Sequence, residues 1–169
     1  SNSSGYYEMG KQALSINANT LQFFTRNPRG GKAREIDAED MTQFMELMKN
    51  NGFAKVIAHS PYTLNPCAAE KRTRDFAFEV FADDLSRMEY LPGNYYNFHP
   101  GSHVGQGIEK GIELITDLLD TVLNEQQSTT VLLETMSGKG SEVGSTFTEL
   151  RQIIDNTKLG SKLGVCLDT

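Results

Sequence analysis

The sequence has only two cysteines, Cys67 and Cys166, and neither belongs to a Cys-x-x-Cys pair. That excludes a zinc knuckle and a disulfide framework and fits a reducing compartment. It also lacks an excess of positive charge: 16 Lys and Arg stand against 22 Asp and Glu, for a formal net charge of −6. A basic nucleic-acid coat is therefore excluded as a global property, whereas a local basic patch is not. No run approaches the roughly 20 apolar residues of a membrane span, and no low-complexity tract, like-charge block or Ser/Pro-rich linker divides the chain. No positively charged, apolar-cored leader opens it, and Ser1-Asn2 reads either as native sequence or as the remnant of a cleaved tag. What is present, 169 residues of which 38% are hydrophobic, suffices for a single soluble domain over 1–169 with its own core, expected in the cytoplasm.

Apolar periodicity predicts five helices. Between Gly107 and Gln126, the residues Ile108, Ile112, Ile115, Leu119 and Val122 recur at steps of four and three, the mark of one buried helical face. Similar stripes run through Glu70–Tyr90, which stops before Pro92-Gly93, and through Asp37–Asn50, Thr146–Lys158 and Tyr6–Ile16. Between them lie apolar runs too short for helices: Thr20–Thr25, Lys55–His59, Tyr95–His99, Thr130–Glu134 and Lys162–Asp168. These read as buried parallel strands in an α/β fold with right-handed crossovers.

Four of the five predicted strands end on a residue able to bind metal: His59, His99, Glu134 and Asp168. They fall roughly 35 to 40 residues apart, one strand–helix unit, and a barrel gathers such strand ends around one mouth. An open doubly wound sheet would spread them along an edge, and no Gly-rich phosphate fingerprint follows the first strand. The expected fold is thus an incomplete TIM (β/α)8 barrel of about five units, lacking its first strand and its last units, since a full barrel needs about 250 residues. Each histidine alone reads first as a structural core residue, a balance that two at strand ends shift, and each carboxylate is compatible with a salt bridge or a solvated rim position. A buried carboxylate without a partner is costly, however. Two imidazoles and two carboxylates without a thiolate form a donor set for zinc, manganese or iron. A carboxylate bridging two such ions about 4 Å apart suits phosphoester hydrolysis, and Glu134 is the candidate bridge.

A second feature is the cluster Arg26, Arg29, Lys32 and Arg34, four cations without an acid in one loop after the first predicted strand. It reads either as a solvated surface loop or as a track for a phosphate backbone with arginines entering the duplex. In the next such loop, Tyr62 and Leu64 either wedge against a base step or pack beneath their own loop.

The runs Ala58-His-Ser-Pro-Tyr62, Asn97-Phe-His-Pro-Gly-Ser-His103, Leu133-Glu-Thr-Met-Ser-Gly-Lys-Gly140 and Gly164-Val-Cys-Leu-Asp-Thr169 resemble the endonuclease IV family of DNA-repair enzymes, in order and spacing from about Ser3 onward. The resemblance implies a TIM barrel with three zinc ions that cleaves double-stranded DNA on the 5′ side of abasic sites, leaving a 3′-hydroxyl, and that removes 3′-blocking groups. It implies that His59, His99 and Glu134 hold the first zinc, and that Glu134 also reaches a second, to which Asp168 contributes. Arg29 falls where the family inserts an arginine into the DNA, and Tyr62 where a tyrosine supports the kinked duplex around a flipped-out sugar. His103 belongs to the motif without being a ligand. The family's early Gly-x-His-x-Ser strand and everything after Thr169 have no counterpart, so the chain resembles roughly the first 60% of such a barrel. One complete and one partial zinc site are expected, with little or no catalysis by this chain alone, and self-association through exposed barrel edges. The rival readings are a sugar isomerase or epimerase of related build, and a non-catalytic DNA-binding remnant.

Overall fold

The short apolar runs fold as the strands of one sheet: β1 (Gln22–Phe24), β2 (Ile57–His59), β3 (Tyr95–Phe98), β4 (Thr130–Glu134) and β5 (Leu163–Cys166). The computed structural model describes residues 4–30 and 32–168; the Ser1-Asn2 pair lies outside them. The strands stand in the order β1-β2-β3-β4-β5, every neighbouring pair parallel. Strictly consecutive order is that of a barrel wall, whereas a doubly wound sheet reverses direction at a switch point. The architecture is a TIM-barrel-like α/β sheet, as expected.

Five helices alternate with the strands: α1 (Tyr6–Ser15), α2 (Ala38–Asn50), α3 (Lys71–Met88), α4 (Ile108–Val122) and α5 (Phe147–Asn156). A 3-10 turn, Gly160–Lys162, leads into β5. Their starts follow from local chemistry. Asp37 caps α2 by accepting from the Glu39 and Asp40 amides, and Thr146 caps α5 by accepting from the Glu149 amide. The Glu149 carboxylate accepts in return from the Gly144 and Ser145 amides at 2.7 and 3.0 Å. The outer predicted strands are shorter than expected, 22–24 instead of 20–25 and 163–166 instead of 162–168. Their flanking residues are engaged elsewhere, Thr20 with the Lys55 carbonyl and Asp168 with the Thr135 hydroxyl.

The core lies between sheet and helices. Phe44, Phe81, Phe98, Ile115, Leu119, Leu133 and Ile153 are fully buried or nearly so. The Phe81 ring meets Tyr96 and Phe98 edge-on at 5.0 Å each. Burying side chains of this size contributes about 1.5–3 kcal/mol apiece. The parallel register sets Phe24 beside His59 and His59 beside Asn97, so the strand ends share one rim, where the connecting loops also gather.

Two of those loops are locked together. The Asn65 amide donates to the Ser102 carbonyl and accepts from the Ser102 amide, at 2.9 and 3.0 Å. Gly101 has φ +95°, and a Cβ there would collide with the Asn65 side-chain oxygen. Only glycine fits at that point of the His99-Pro-Gly101 turn.

Candidate metal centre

His59 ends β2 and Glu134 ends β4, and both are almost fully buried. His99 stands one residue past β3 with 30% of its side chain exposed. Glu134 reaches both rings: one carboxylate oxygen lies 3.0 Å from His59 Nε2 and the other 3.3 Å from His99 Nε2. Ligand atoms of the three residues all fall within 4.8 Å of one another, and among the described residues they form the one such group. Donors of a tetrahedral zinc site, with bonds of about 2.0–2.1 Å, sit about 3.3 Å apart, so this spacing fits an ion with little rearrangement.

Hydrogen bonding decides how the rings are oriented. His59 Nδ1 lies 2.6 Å from the Ser60 carbonyl oxygen, which can only accept, so Nδ1 carries a proton. Nε2 then faces a carboxylate oxygen, and two acceptors in contact repel unless a proton or a cation lies between them. Either a proton or a metal ion would meet that need. Burial disfavours the charged ring, but the Glu134 carboxylate and the Ser60 carbonyl outweigh it and raise the His59 pKa. Burial likewise pushes the Glu134 carboxyl up, but hydrogen bonds from His59, His99 and Asn97 prevail and hold it well below the usual carboxylate range. The site is thus built around an anion that wants a positive partner, and a divalent cation would replace the shared proton.

Asn97 donates to the same Glu134 oxygen that faces His59 and is itself buried, its own side-chain oxygen without a hydrogen-bond partner among the described residues. Asn97 carries no charge that marks it in the sequence, although its spacing of two from His99 directs both to one side of the chain leaving β3. Phe24 has no polar group to mark it either, yet its ring packs 5.3 Å from that of His59 and 5.1 Å from that of Tyr62.

The structure brings three of the four expected ligands together. Asp168 stands outside the group, two residues beyond β5, exposed, with its amide donating to the Thr135 hydroxyl at 2.9 Å. Its charge still acts on the same mouth, favouring protonated His59 and raising the Cys166 thiol pKa together with burial and Glu134. Tyr62 lies over the histidines, 5.5 Å from the His59 ring and 6.0 Å from the His99 ring, and is 58% exposed. Its amide donates to the Pro28 carbonyl at 2.8 Å, which ties the basic loop to the same rim. Arg29 in that loop is exposed, and the Asn27 side chain accepts from its amide at 2.9 Å. Of the two readings open for Leu64, packing beneath its own loop holds: it is buried in the core. The reading of Arg26 needs correction. Arg26 is no free cation; its side chain is 6% exposed and pairs with Asp83 and Asp84.

Comparison with known proteins gives a family and a set of relatives. The family model described as "Xylose isomerase-like TIM barrel" matches residues 11–169. A curated protein of Alkaliphilus oremlandii named "Probable endonuclease 4" is 64% identical over 169 residues, covering 100% of this chain and 60% of the relative. The crystal structure of endonuclease IV from Thermus thermophilus superposes with a TM-score of 0.82 at 26% identity, covering 99% of this chain and 59% of that one. A D-tagatose 3-epimerase-like protein superposes at 0.73 with 18% identity, covering 94% and 59%, a likeness of fold alone. The chain spans about 60% of the length of the curated relatives it matches.

Proposed function

The chain belongs to the xylose isomerase-like TIM barrel family, and from that premise we propose that it forms part of a DNA-repair enzyme of the endonuclease IV type. The reaction is hydrolysis of the phosphodiester 5′ to an abasic site in duplex DNA. The observation that carries the reading is the convergence of His59, His99 and Glu134 within 4.8 Å on a rim that also presents Tyr62 and the loop of Arg29. A sugar-processing site has no need of that exposed arginine loop.

In this reading His59, His99 and Glu134 hold a zinc ion, with Glu134 and Asp168 contributing to a second; three ions serve the complete enzyme, and the same donors accept manganese. Zinc bound there supplies a Lewis acid that offsets charge on the phosphate oxygens as the bond to phosphorus breaks. The chain's own residues do the rest. Ser60 fixes the His59 ring so that Nε2 faces the Glu134 carboxylate, and Asn97 fixes that carboxylate, each removing rotational freedom before substrate arrives. Tyr62 offers an exposed ring at the edge of the site as a support for a displaced sugar or an unstacked base. Arg29 contacts the duplex, and the negative charge of the whole chain leaves this loop as its local attraction for phosphate. Two unpaired cysteines, Cys67 buried with its thiol pKa pushed up to about 12 by that burial, fit a cytoplasmic setting.

The test is nicking of a duplex with one abasic site, with added zinc, against a full-length relative. This chain is expected to nick feebly, because the donors for a second ion are incomplete within it. Turnover equal to the relative's refutes that expectation, and turnover of a ketose panel in place of DNA refutes the nuclease reading in favour of an epimerase. A chain that holds no zinc yet binds intact and abasic duplex alike is a DNA-binding remnant instead. The sheet ends on β1 and β5, and Val165 and Leu167 are exposed beside the latter. Unpaired strand edges invite pairing between copies, so the chain is expected to self-associate at micromolar concentration; a monomer by light scattering is the contrary result.

A further inference from the structure

We propose that Asp83 and Arg87 on α3 are positioning residues that hold the Arg29 loop in its duplex-binding shape, an inference that rests on the nucleic-acid reading above. The loop is fastened at three places. At its start, the Arg26 side chain is buried against α3: Nε and Nη2 donate to Asp84 Oδ1 at 3.0 and 2.8 Å, and Nη2 also donates to Asp83 Oδ2. At its end, Arg87 Nη2 donates to the Arg34 carbonyl at 2.7 Å, while Arg87 Nε donates to the same Asp83 oxygen at 3.0 Å. In the middle, the Pro28 carbonyl accepts from the Tyr62 amide at 2.8 Å.

Asp83 therefore joins both ends of the loop, touching Arg26 directly and Arg34 through Arg87. The two anchors differ in kind. The Arg26–Asp84 contact lies in the interior, with side chains 6% and 0% exposed, and belongs to the core. The Asp83 side chain is 53% exposed and that of Arg87 14%, and neither residue belongs to the hydrophobic core. With Asp83 half exposed, this pair adds less to global stability than the buried Arg26–Asp84 contact, yet it removes freedom from a segment whose function requires a defined shape. Ordering a mobile backbone segment carries an entropic cost. A loop restrained in the free protein does not meet that cost when DNA binds.

Arg29 sits between the anchors, exposed, and makes no ion pair among the described contacts. The arrangement thus commits Arg26 and Arg87 to holding the loop and leaves Arg29 at its outer face for the ligand.

The test uses the zinc-loaded chain and a fluorescent duplex bearing a tetrahydrofuran abasic analogue, read by anisotropy at fixed salt. Arg87→Met, which keeps the aliphatic stem, is expected to weaken binding about tenfold with only a slight fall in melting temperature, and Asp83→Asn to do the same. Arg87→Lys, able to reach Asp83 or the Arg34 carbonyl but not both, is expected to recover part of the loss. The decisive measurement is coupling. If the clamp acts through Arg29, then Arg87→Met adds no loss to Arg29→Ala, whereas a merely structural residue would weaken both backgrounds equally. Trypsin is expected to cut after Arg29 and Lys32 about tenfold faster in Arg87→Met. Wild-type binding and cutting rates in Arg87→Met, or additive losses with Arg29→Ala, overturn the inference while the nuclease reading stands. A wild-type chain with no preference for the lesion duplex overturns both.

Discussion

Glu134 and Asp84 are both buried carboxylates of one barrel wall, and their surroundings send them in opposite directions. Asp84 on α3 is fully buried and accepts from Thr25 Oγ1 at 2.5 Å, from Arg26 at 2.8 and 3.0 Å, and from Tyr96 Oη at 2.8 Å. Its partners keep their protons at any ordinary pH, so the cluster is complete as it stands. Burial pushes the Asp84 carboxyl up despite those donors. Glu134, at the rim, faces the imidazoles of His59 and His99, ring nitrogens able to bind a metal ion, and hydrogen bonds from them and from Asn97 outweigh burial and hold its carboxyl low. A buried acid surrounded by permanent donors is part of the scaffold; one surrounded by imidazoles leaves a place for a cation. Partner chemistry, more than burial, separates a structural carboxylate from a metal-binding one.

That contrast breaks most visibly if the scaffold carboxylate is removed. Asp84→Ala strands the Arg26 guanidinium and the Tyr96 hydroxyl in the interior, and the expected cost is about 3–5 kcal/mol of folding stability, read from urea unfolding. A loss under about 1 kcal/mol would show that the cluster relaxes toward water. The complementary change, Glu134→Gln, is expected to lower zinc affinity at least about 100-fold, near 2.7 kcal/mol, measured by competition with a chromogenic chelator. Its metal-free unfolding midpoint should fall much less than that of Asp84→Ala. Equal damage by both substitutions would erase the distinction.

The smallest expected effect lies at the edge of the scaffold cluster, where pH distinguishes Asp83 from its buried neighbour. Burial raises the Asp83 carboxyl, but hydrogen bonds from Arg87 and Arg26 outweigh it and lower the pKa. A lowered folded value means that this group's contribution is present above its unfolded pKa of about 3.9 and is lost as pH falls through the folded value. Asp84, facing the same Arg26, is shifted upward and adds nothing to that acid loss. The melting temperature of the wild-type chain should therefore drop slightly more steeply below about pH 4 than that of Asp83→Asn. Parallel curves would assign the acid limb to other groups.

Which parts of this arrangement were legible in the sequence follows from the range of the physics involved. Helices α1 to α5 announce themselves by local periodicity and the five strands by short apolar runs, and His59, His99 and Glu134 stand out as polar residues closing those runs. Asn97 carries the same period-two signal but no charge to attract notice. Asp84 is more instructive. It falls on the apolar stripe of α3 formed by Ala77, Val80, Phe81 and Met88, an acid on a buried face that has to be answered by a distant cation. Its partner Arg26, 58 residues away, looks in the sequence like one cation of a surface loop or phosphate track, because tertiary pairing leaves no trace in local composition. Leu64 was ambiguous for the same reason, since an apolar residue in a loop packs or protrudes according to what lies beneath it.

The interlock of Asn65 with the turn at Gly101 has a consequence for anyone recombining barrel loops. Its two hydrogen bonds make the segments after β2 and β3 one inherited unit: transplanting either into another scaffold severs both bonds and brings any non-glycine residue at position 101 into collision with the amide. The two segments are expected to be exchangeable only as a matched pair.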